Sequence, residues 1–321
     1  LTNYAQVAGF AAIEGTVLAE DFSNNPAADG WQTFGDANLF TWDGANQALQ
    51  VTWDSSQSNS YFYHPLGTIM TSNDAFSLSF DILLHDANTN SDGPYQFELA
   101  LGFLNLAEAE NANFLRGTGD NATNLAEFDY FPADDQGDAA SLDATLLDTN
   151  GNYYFAYADV PLALGTLYHV TINHAAGTNA LTGGILANGQ PFAALPQTAS
   201  DVFSSPNVGD FRLDTIAISS YSDSNGFGAS ILAHGLVKNL FVTAPPPPVT
   251  YLSGGLTNDA WQVQFWSRTN WNYTLEKSPD LQTWLPLAPA LAGPGGLMTL
   301  QDTNAPRQSQ YYRVSAYPQC P

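Results

Sequence analysis

Apolar and polar residues alternate with a period of two along much of this chain, and that period predicts β-strands. Phe76, Leu78, Phe80, Ile82 and Leu84 are separated by Ser77, Ser79, Asp81 and Leu83. Tyr95, Phe97, Leu99, Leu101 and Phe103 repeat the pattern, with Gln96 and Glu98 on the opposite side. Further strands are expected over residues 16–22, 48–53, 60–64, 140–147, 153–157, 167–173, 181–187, 211–219 and 231–242, separated by Asp, Asn and Gly turns. No long segment carries a helical period, and residues 105–116 are the best candidate for a short helix. More than ten strands over roughly 240 residues predict an all-β, two-sheet antiparallel jelly roll or β-sandwich.

The pattern is interrupted at residues 244–248, where four prolines follow Ala244. Such a run is extended and semi-rigid, so it reads as a linker. Beyond it, residues 249–321 hold shorter alternating runs, among them Trp261, Val263 and Phe265, then Tyr273 and Leu275, then Tyr312 and Val314. These fit a second, small fibronectin-like β-sandwich. Four of the seven tryptophans, Trp261, Trp266, Trp271 and Trp284, sit in this tail and are expected to supply its core anchors.

Charge sharpens the division. Residues 1–243 carry 27 acids against three bases (Arg116, Arg212 and Lys238), a net of 3 − 27 = −24, whereas residues 244–321 carry four of each. This balance excludes nucleic acid and anionic membrane surfaces as partners, since nothing basic is available to neutralise phosphates. No run is apolar enough to insert into a membrane. Only 12% of residues are charged, and polarity comes from Asn, Ser, Thr, Gln and Gly, which suits an extracellular β-protein. The start at Leu1 rather than Met suggests a removed signal peptide and a secreted or surface location. The single cysteine, Cys320, permits no internal disulfide but could link two chains.

The candidate chemistry is concentrated in residues 124–132, which read as one strand. Glu127 and Asp129 stand two apart and so project from one face, while Ala126, Phe128 and Tyr130 fill the other. Paired carboxylates on an open sheet face could accept hydrogen bonds from neighbouring sugar hydroxyls or bind a metal. Tyr61 and Tyr63, on an adjacent predicted strand, could stack on sugar rings while their hydroxyls meet water; Trp53 alternates with Leu49 and Val51 and is expected in the core. Glu98 and Asp81 are candidate partners for Glu127. Asn88, Asn90 and Asp92, followed by Gly93, have alternate oxygen donors and a turn glycine, a spacing able to wrap Ca²⁺, with Asp86 just upstream. Residues 134–138 form a second acidic loop that could reach the same site. The five histidines are scattered, with His169 and His174 the only metal-ligand candidates among them.

Residues 14–243 resemble the concanavalin A-like lectin/glucanase superfamily. The resemblance rests on Glu20, Asp21 and Phe22, on Gly30 and Trp31, on Trp42, on the run from Leu49 to Trp53, and on the closing run from Lys238 to Val242. The tail, through the run from Tyr273 to Trp284 and through Tyr311, Tyr312, Arg313 and Val314, resembles a C-terminal β module of large secreted bacterial proteins of verrucomicrobial type. Glycosidases of the superfamily carry Glu-x-Asp-x-(x)-Glu on a concave strand. Glu127 and Asp129 match its first two positions, but the third falls on Phe131 or Pro132, and neither can move a proton.

The resemblance therefore implies a non-catalytic protein that holds a polysaccharide on a concave face with Glu127, Asp129, Glu98, Tyr61 and Tyr63, with Ca²⁺ as an accessory. Two other readings compete: a β-glycan hydrolase using Glu127, and a structural subunit of an extracellular filament or surface layer. The last is motivated by residues 1–13, an extension of small and apolar residues that could add as a strand to a neighbouring subunit's open sheet edge, making a homo-oligomer or fibre.

Overall fold

The computed structural model describes residues 16–91, 99–116, 121–133, 139–155, 157–178, 180–195, 199–200, 209–222, 229–257, 260–305 and 310–319 of the 321. Residues 1–13, Asp92, Glu98, residues 134–138 and Cys320 lie outside them. The chain divides into two units, residues 1–245 and 246–321.

The first unit is the expected antiparallel two-sheet sandwich. Its strands are β1 (Thr16–Glu20), β2 (Gln32–Phe34), β3 (Phe40–Asp43), β4 (Ala48–Asp54), β5 (Ser60–Met70), β6 (Phe76–Ser91), β7 (Leu99–Leu104), β8 (Leu125–Phe131), β9 (Ser141–Leu147), β10 (Tyr153–Phe155), β11 (Tyr157–Asp159), β12 (Leu167–His174), β13 (Leu181–Ala187), β14 (Gln190–Leu195), β15 (Ala199–Ser200), β16 (Leu213–Ser220) and β17 (Ala229–Ala244). One sheet has eight strands in the order β14-β13-β12-β6-β17-β4-β3, with β1 also on β17. The other has nine in the order β15-β10-β9-β8-β7-β16-β5-β2, with β11 on β9. The core lies between them, built by the alternation seen in the sequence. Phe80 of the first sheet meets Phe128 of the second edge to face at 5.7 Å, and Trp31 stacks on Phe62 at 5.0 Å. Trp53 is in this core, as expected.

The strand expected to stop before the Asn88 loop instead runs on to Ser91. Asn88 faces Leu232 and Asn90 faces Ser230 in continuous pairing with β17. The calcium-loop reading of Asn88 and Asn90 is therefore corrected: ladder hydrogen bonds to a 16-residue partner strand hold these residues extended, against their turn preference. The helix expected over residues 105–116 is a single turn, α1 (Leu106–Ala109), capped by the Asn105 side chain.

The second unit has a three-stranded sheet, β18 (Val249–Thr257), β19 (Ala260–Ser267) and β23 (Leu297–Asp302), in the order β18-β19-β23. Its four-stranded sheet centres on β20 (Trp271–Ser278), flanked by β24 (Tyr311–Pro318) and by the short β21 (Leu285–Pro286) and β22 (Leu291–Ala292). Phe265, Val263, Trp271, Tyr273 and Leu275 are buried here. Trp261 stacks on Tyr312 at 5.1 Å. The buried Asp302 accepts hydrogen bonds from Lys277 Nζ at 3.2 Å and the Tyr312 hydroxyl at 3.1 Å.

Gly102 in β7 sits opposite Glu127 in β8, and a Cβ there would lie 2.3 Å from Glu127 Cα and 2.4 Å from the Ala126 carbonyl oxygen. Both obstacles are backbone, so neither can swing away. Gly102→Ala should cost at least about 1–3 kcal/mol, the range for overpacking a filled site. A urea midpoint equal to that of the wild type would contradict this packing.

Candidate functional site

The strand β8 lies near the middle of the nine-stranded sheet, between β7 and β9. Its alternation places Ala126, Phe128 and Tyr130 in the intersheet core, as expected. Glu127 and Asp129 project from the opposite face, also as expected. That face is not open: Glu127 is 1% exposed and Asp129 is 0% exposed. The expectation of an open concave face at these two residues is corrected.

The cover comes from the segment that follows β7. Asn105 caps α1 by accepting from the Glu108 amide, and its Nδ2 donates to the Arg212 carbonyl at 3.2 Å. Glu108 then accepts from Thr123 Oγ1 and from Asn124 Nδ2, which ties the segment's return to its start. Asn124 holds a left-handed conformation, φ 53°, and its Oδ1 accepts from the Arg212 amide at 2.7 Å. On the underside, Ala109, Phe114 and Ala122 form a second apolar cluster with Leu104, Leu125, Leu147, Ala217 and Tyr221.

Tyr61 and Tyr63 belong to the same cluster, so the expectation that they form an exposed stacking platform is also corrected. The Tyr61 hydroxyl donates to the Ala109 carbonyl at 3.2 Å, and the Tyr63 hydroxyl to Gln32 Oε1 at 3.2 Å. The cover supplies one hydroxyl's partner and a neighbouring strand the other's, so neither ring needs water to be satisfied.

At the end of the cover, Arg116 reaches down between the two acids. Its Nε donates to Glu127 Oε1 at 2.7 Å and its Nη2 to Asp129 Oδ2 at 2.8 Å. Nη2 also reaches Thr145 Oγ1 at 3.4 Å, and the guanidinium lies over the Tyr153 ring at 5.5 Å. The Tyr221 hydroxyl donates to the second Glu127 oxygen at 2.8 Å. A third acid, Asp143, is the direct cross-strand neighbour of Asp129 and accepts from Thr145 Oγ1 at 3.3 Å.

Two buried carboxyl groups thus hold one guanidinium, with a third, Asp143, beside Asp129. Burial pushes the Asp129 carboxyl above the usual range, and Arg116 opposes that rise without cancelling it. Burial, reinforced by the charge of Glu127, also pushes the Tyr221 hydroxyl well above its ordinary value, so it stays a donor. Asp129 Oδ1 has no hydrogen-bond partner.

This geometry is that of a closed structural cluster. A retaining glycosidase needs two carboxyl groups flanking the scissile bond, about 5–5.5 Å apart, with substrate between them. Here the guanidinium occupies that space. Asp81, considered as a partner for Glu127, lies in the other sheet, where it accepts from Asn239 Nδ2 at 2.7 Å and pairs with His169 Nδ1 at 2.7 Å. His174 is buried against Phe76, with its ring nitrogens facing the carbonyls of Asp74 and Thr178. Among the described residues no group of three or more His, Cys, Asp or Glu side chains is arranged to hold a metal ion.

Removing Arg116 would leave buried acids without their main counter-charge. Arg116→Met should cost about 3–5 kcal/mol, the penalty for breaking a buried ion pair from one side, and chemical denaturation checks it. A separate pH effect follows from Asp129. Its raised native value means that the ionised form penalises the folded state at neutral pH, so its contribution to stability increases as pH falls through that value toward the ordinary aspartate value near 3.9. Asp129→Asn removes this dependence. Stability curves of variant and wild type should approach each other at acid pH and separate toward neutral, with the variant the more stable. Parallel curves would show that Asp129 does not titrate in this way.

No protein-family model matches the chain, and no curated protein matches it. Similar solved structures include lectin II from Ulex europaeus, at 12% identity and a TM-score of 0.45 over 73% of this chain and 100% of that one. An alginate lyase from Aplysia kurodai is similar at 12% identity and a TM-score of 0.45, also over 73% and 100%. The Lotus tetragonolobus seed lectin is similar at 11% identity and a TM-score of 0.39, over 71% and 97%. Likenesses of this size carry no residue role or ligand from those proteins to this chain.

Proposed function

We propose that the chain is a secreted, non-catalytic polysaccharide-binding protein, and that its glycan contact runs along the outer face of β24 in the second unit rather than over Glu127 and Asp129. The observation that carries this reading is a row of side chains on one strand face. Tyr311, Arg313, Ser315 and Tyr317 alternate outward from β24, opposite Ser278, Glu276, Thr274 and Asn272 of β20. Both end tyrosines are 46% exposed. They stand six residues apart, about 20 Å along a strand, which suits an extended chain of sugar rings.

Between them Arg313 is already fixed. Its Nε donates to Glu276 Oε2 at 2.6 Å, and its guanidinium lies over the Trp284 ring at 4.3 Å. A fixed guanidinium beside a carboxylate offers donors and an acceptor to neighbouring hydroxyls, while aromatic faces cover the apolar C–H faces of sugars. The arrangement costs little ordering on binding, because the cation–π contact and the ion pair already hold the arginine. The near-zero net charge of residues 244–321 imposes no repulsion on an acidic or a neutral glycan. The sealed Arg116 cluster favours binding over hydrolysis.

Affinity electrophoresis through gels containing β-glucan, xylan or pectin tests this. At least one polymer should retard the protein. Tyr311→Ala combined with Tyr317→Ala should weaken that retardation about tenfold or more, equivalent to about 1.4 kcal/mol, with an unchanged melting temperature. No reducing ends should be released. Absence of retardation by all of these polymers, or full retardation of the double variant, would remove the basis for the proposal.

A further inference from the structure

We infer that the outer edge of β18 is an acceptor for a β-strand from a second copy of this chain, and that the strand it accepts is residues 1–13. An exposed edge offers unpaired N–H and C=O groups to any passing strand, and proteins guard it with charges, proline, bulges or short length. Several other sheet edges among the described residues carry such guards, although β23, six residues long at the far edge of the same sheet, has only its terminal Asp302. The edge strand β14 contains Pro191, β3 is four residues long and ends in Asp43, and β24 contains Arg313 and Pro318. Strands β2 and β15 have only three and two residues.

β18 differs. It has nine residues, none charged and none proline, and among the described residues it pairs with β19 alone. A bulge between Thr250 and Ser253, where Tyr251 takes φ 52°, interrupts its first half. From Ser253 to Thr257 the pairing with β19 is continuous, so the opposite edge of this stretch is a regular template. Its apolar side chains are uncovered: Tyr251 is 68% exposed, Leu252 53% and Leu256 57%. Leu256 pairs with Trp261 and Gly254 with Val263, so this side of the strand continues the apolar face of β19. A strand laid beside β18 would extend that face and cover the leucines.

The occupant follows from charge and sequence. Residues 1–243 of each copy carry a net −24, so contacts between two such bodies are repelled. Residues 249–257 and residues 1–13 contain no charged residue at all, and neither segment contains proline. Their pairing brings no charged side chain of one copy against a charged side chain of the other. The donor also has the composition that an apolar edge selects: Leu1, Ala5, Val7, Ala11 and Ile13 share one face of an extended strand, with Asn3 and Gly9 between them. The bonding mode is strand addition, in which backbone hydrogen bonds supply affinity and alternate side chains supply fit.

The test uses full-length chains in a Cys320→Ser background. One chain carries Ser253→Cys; the other carries a cysteine at Gln6, Ala8 or Ala12 in turn. Mixing under mild oxidation should give a covalent heterodimer for at least one position. Light scattering after size exclusion should show oligomers for the wild type and monomers for a chain lacking residues 1–13. Leu256→Lys, which places a guard charge on the acceptor edge, should also give monomers with an unchanged melting temperature. A wild type that stays monomeric at its highest soluble concentration would overturn the inference. So would oligomers that survive deletion of residues 1–13, or a dilute chain bearing both cysteines that closes the link within itself.

Discussion

The guanidinium of Arg116, lodged between Glu127 and Asp129, determines what the first unit can do. Two adjacent carboxylates on a sheet face resemble catalytic apparatus only while water and substrate can reach them. One arginine entering from the covering segment changes their role: it neutralises charge, orients one oxygen of each acid and fills the gap where a sugar ring would lie. The cover and the cluster depend on each other. Without the arginine the acids could not be buried, and without the apolar contacts of Phe114, Ala109 and Ala122 the arginine would not be held over them.

The arrangement is not neutral, and that has a structural consequence. Among the described residues, Glu127, Asp129 and Asp143 stand with one buried arginine, and Asp129 Oδ1 finds no donor. Asp302 in the second unit shows the opposite outcome for the same residue type. Burial pushes its carboxyl up, but hydrogen bonds from the Asn304 amide, Lys277 and Tyr312 outweigh burial and hold it below the usual range. Two variables differ between them. Asp129 is the more deeply buried and keeps one oxygen without a donor, whereas Asp302 is less deeply buried and accepts from three groups; the balance of burial against donors sets the direction of each shift. The two acids therefore contribute oppositely as pH falls: Asp302 loses stabilising charge, whereas Asp129 is relieved of a penalised one.

Much of this was legible in the alternation. The strands of both sheets, the core side of β8 and the shared face of Glu127 and Asp129 all follow from a period of two, because that period is a property of the local backbone. What alternation cannot report is whether a third layer covers a polar face. One signal did point there. Arg116 is one of only three basic residues among the first 243, against 27 acids, and it is the last residue of the one segment read as helical. A cation so scarce in so acidic a chain is under strong electrostatic pressure to pair. Tyr61 and Tyr63 misled for a related reason: a tyrosine hydroxyl tolerates water, but a carbonyl or amide oxygen satisfies it equally well. The Asn88 stretch misled because turn preference is a local tendency, and a long cross-strand ladder overrode it.

The two units distribute exposure in opposite ways. The first places its carboxylate pair and its strand-borne tyrosines beneath a cover and leaves a strongly acidic body that repels its own copies. The second leaves Tyr251, Leu252, Leu256, Leu285, Leu297, Tyr311 and Tyr317 exposed on a nearly neutral sandwich. Apolar surface of that extent is unfavourable in water unless something covers it, and a small domain without a disulfide has little stability to spare for it. The acidic body supplies the solubility that such a surface needs, since its repulsion opposes indiscriminate association. Both proposed contacts lie outside that body, the β18 edge with no charged residue and the β24 row with its one arginine paired to Glu276. In this chain charge acts chiefly by opposing contact: the excess of acids falls on the first unit, and the second, with four acids and four bases in residues 244–321, meets less repulsion.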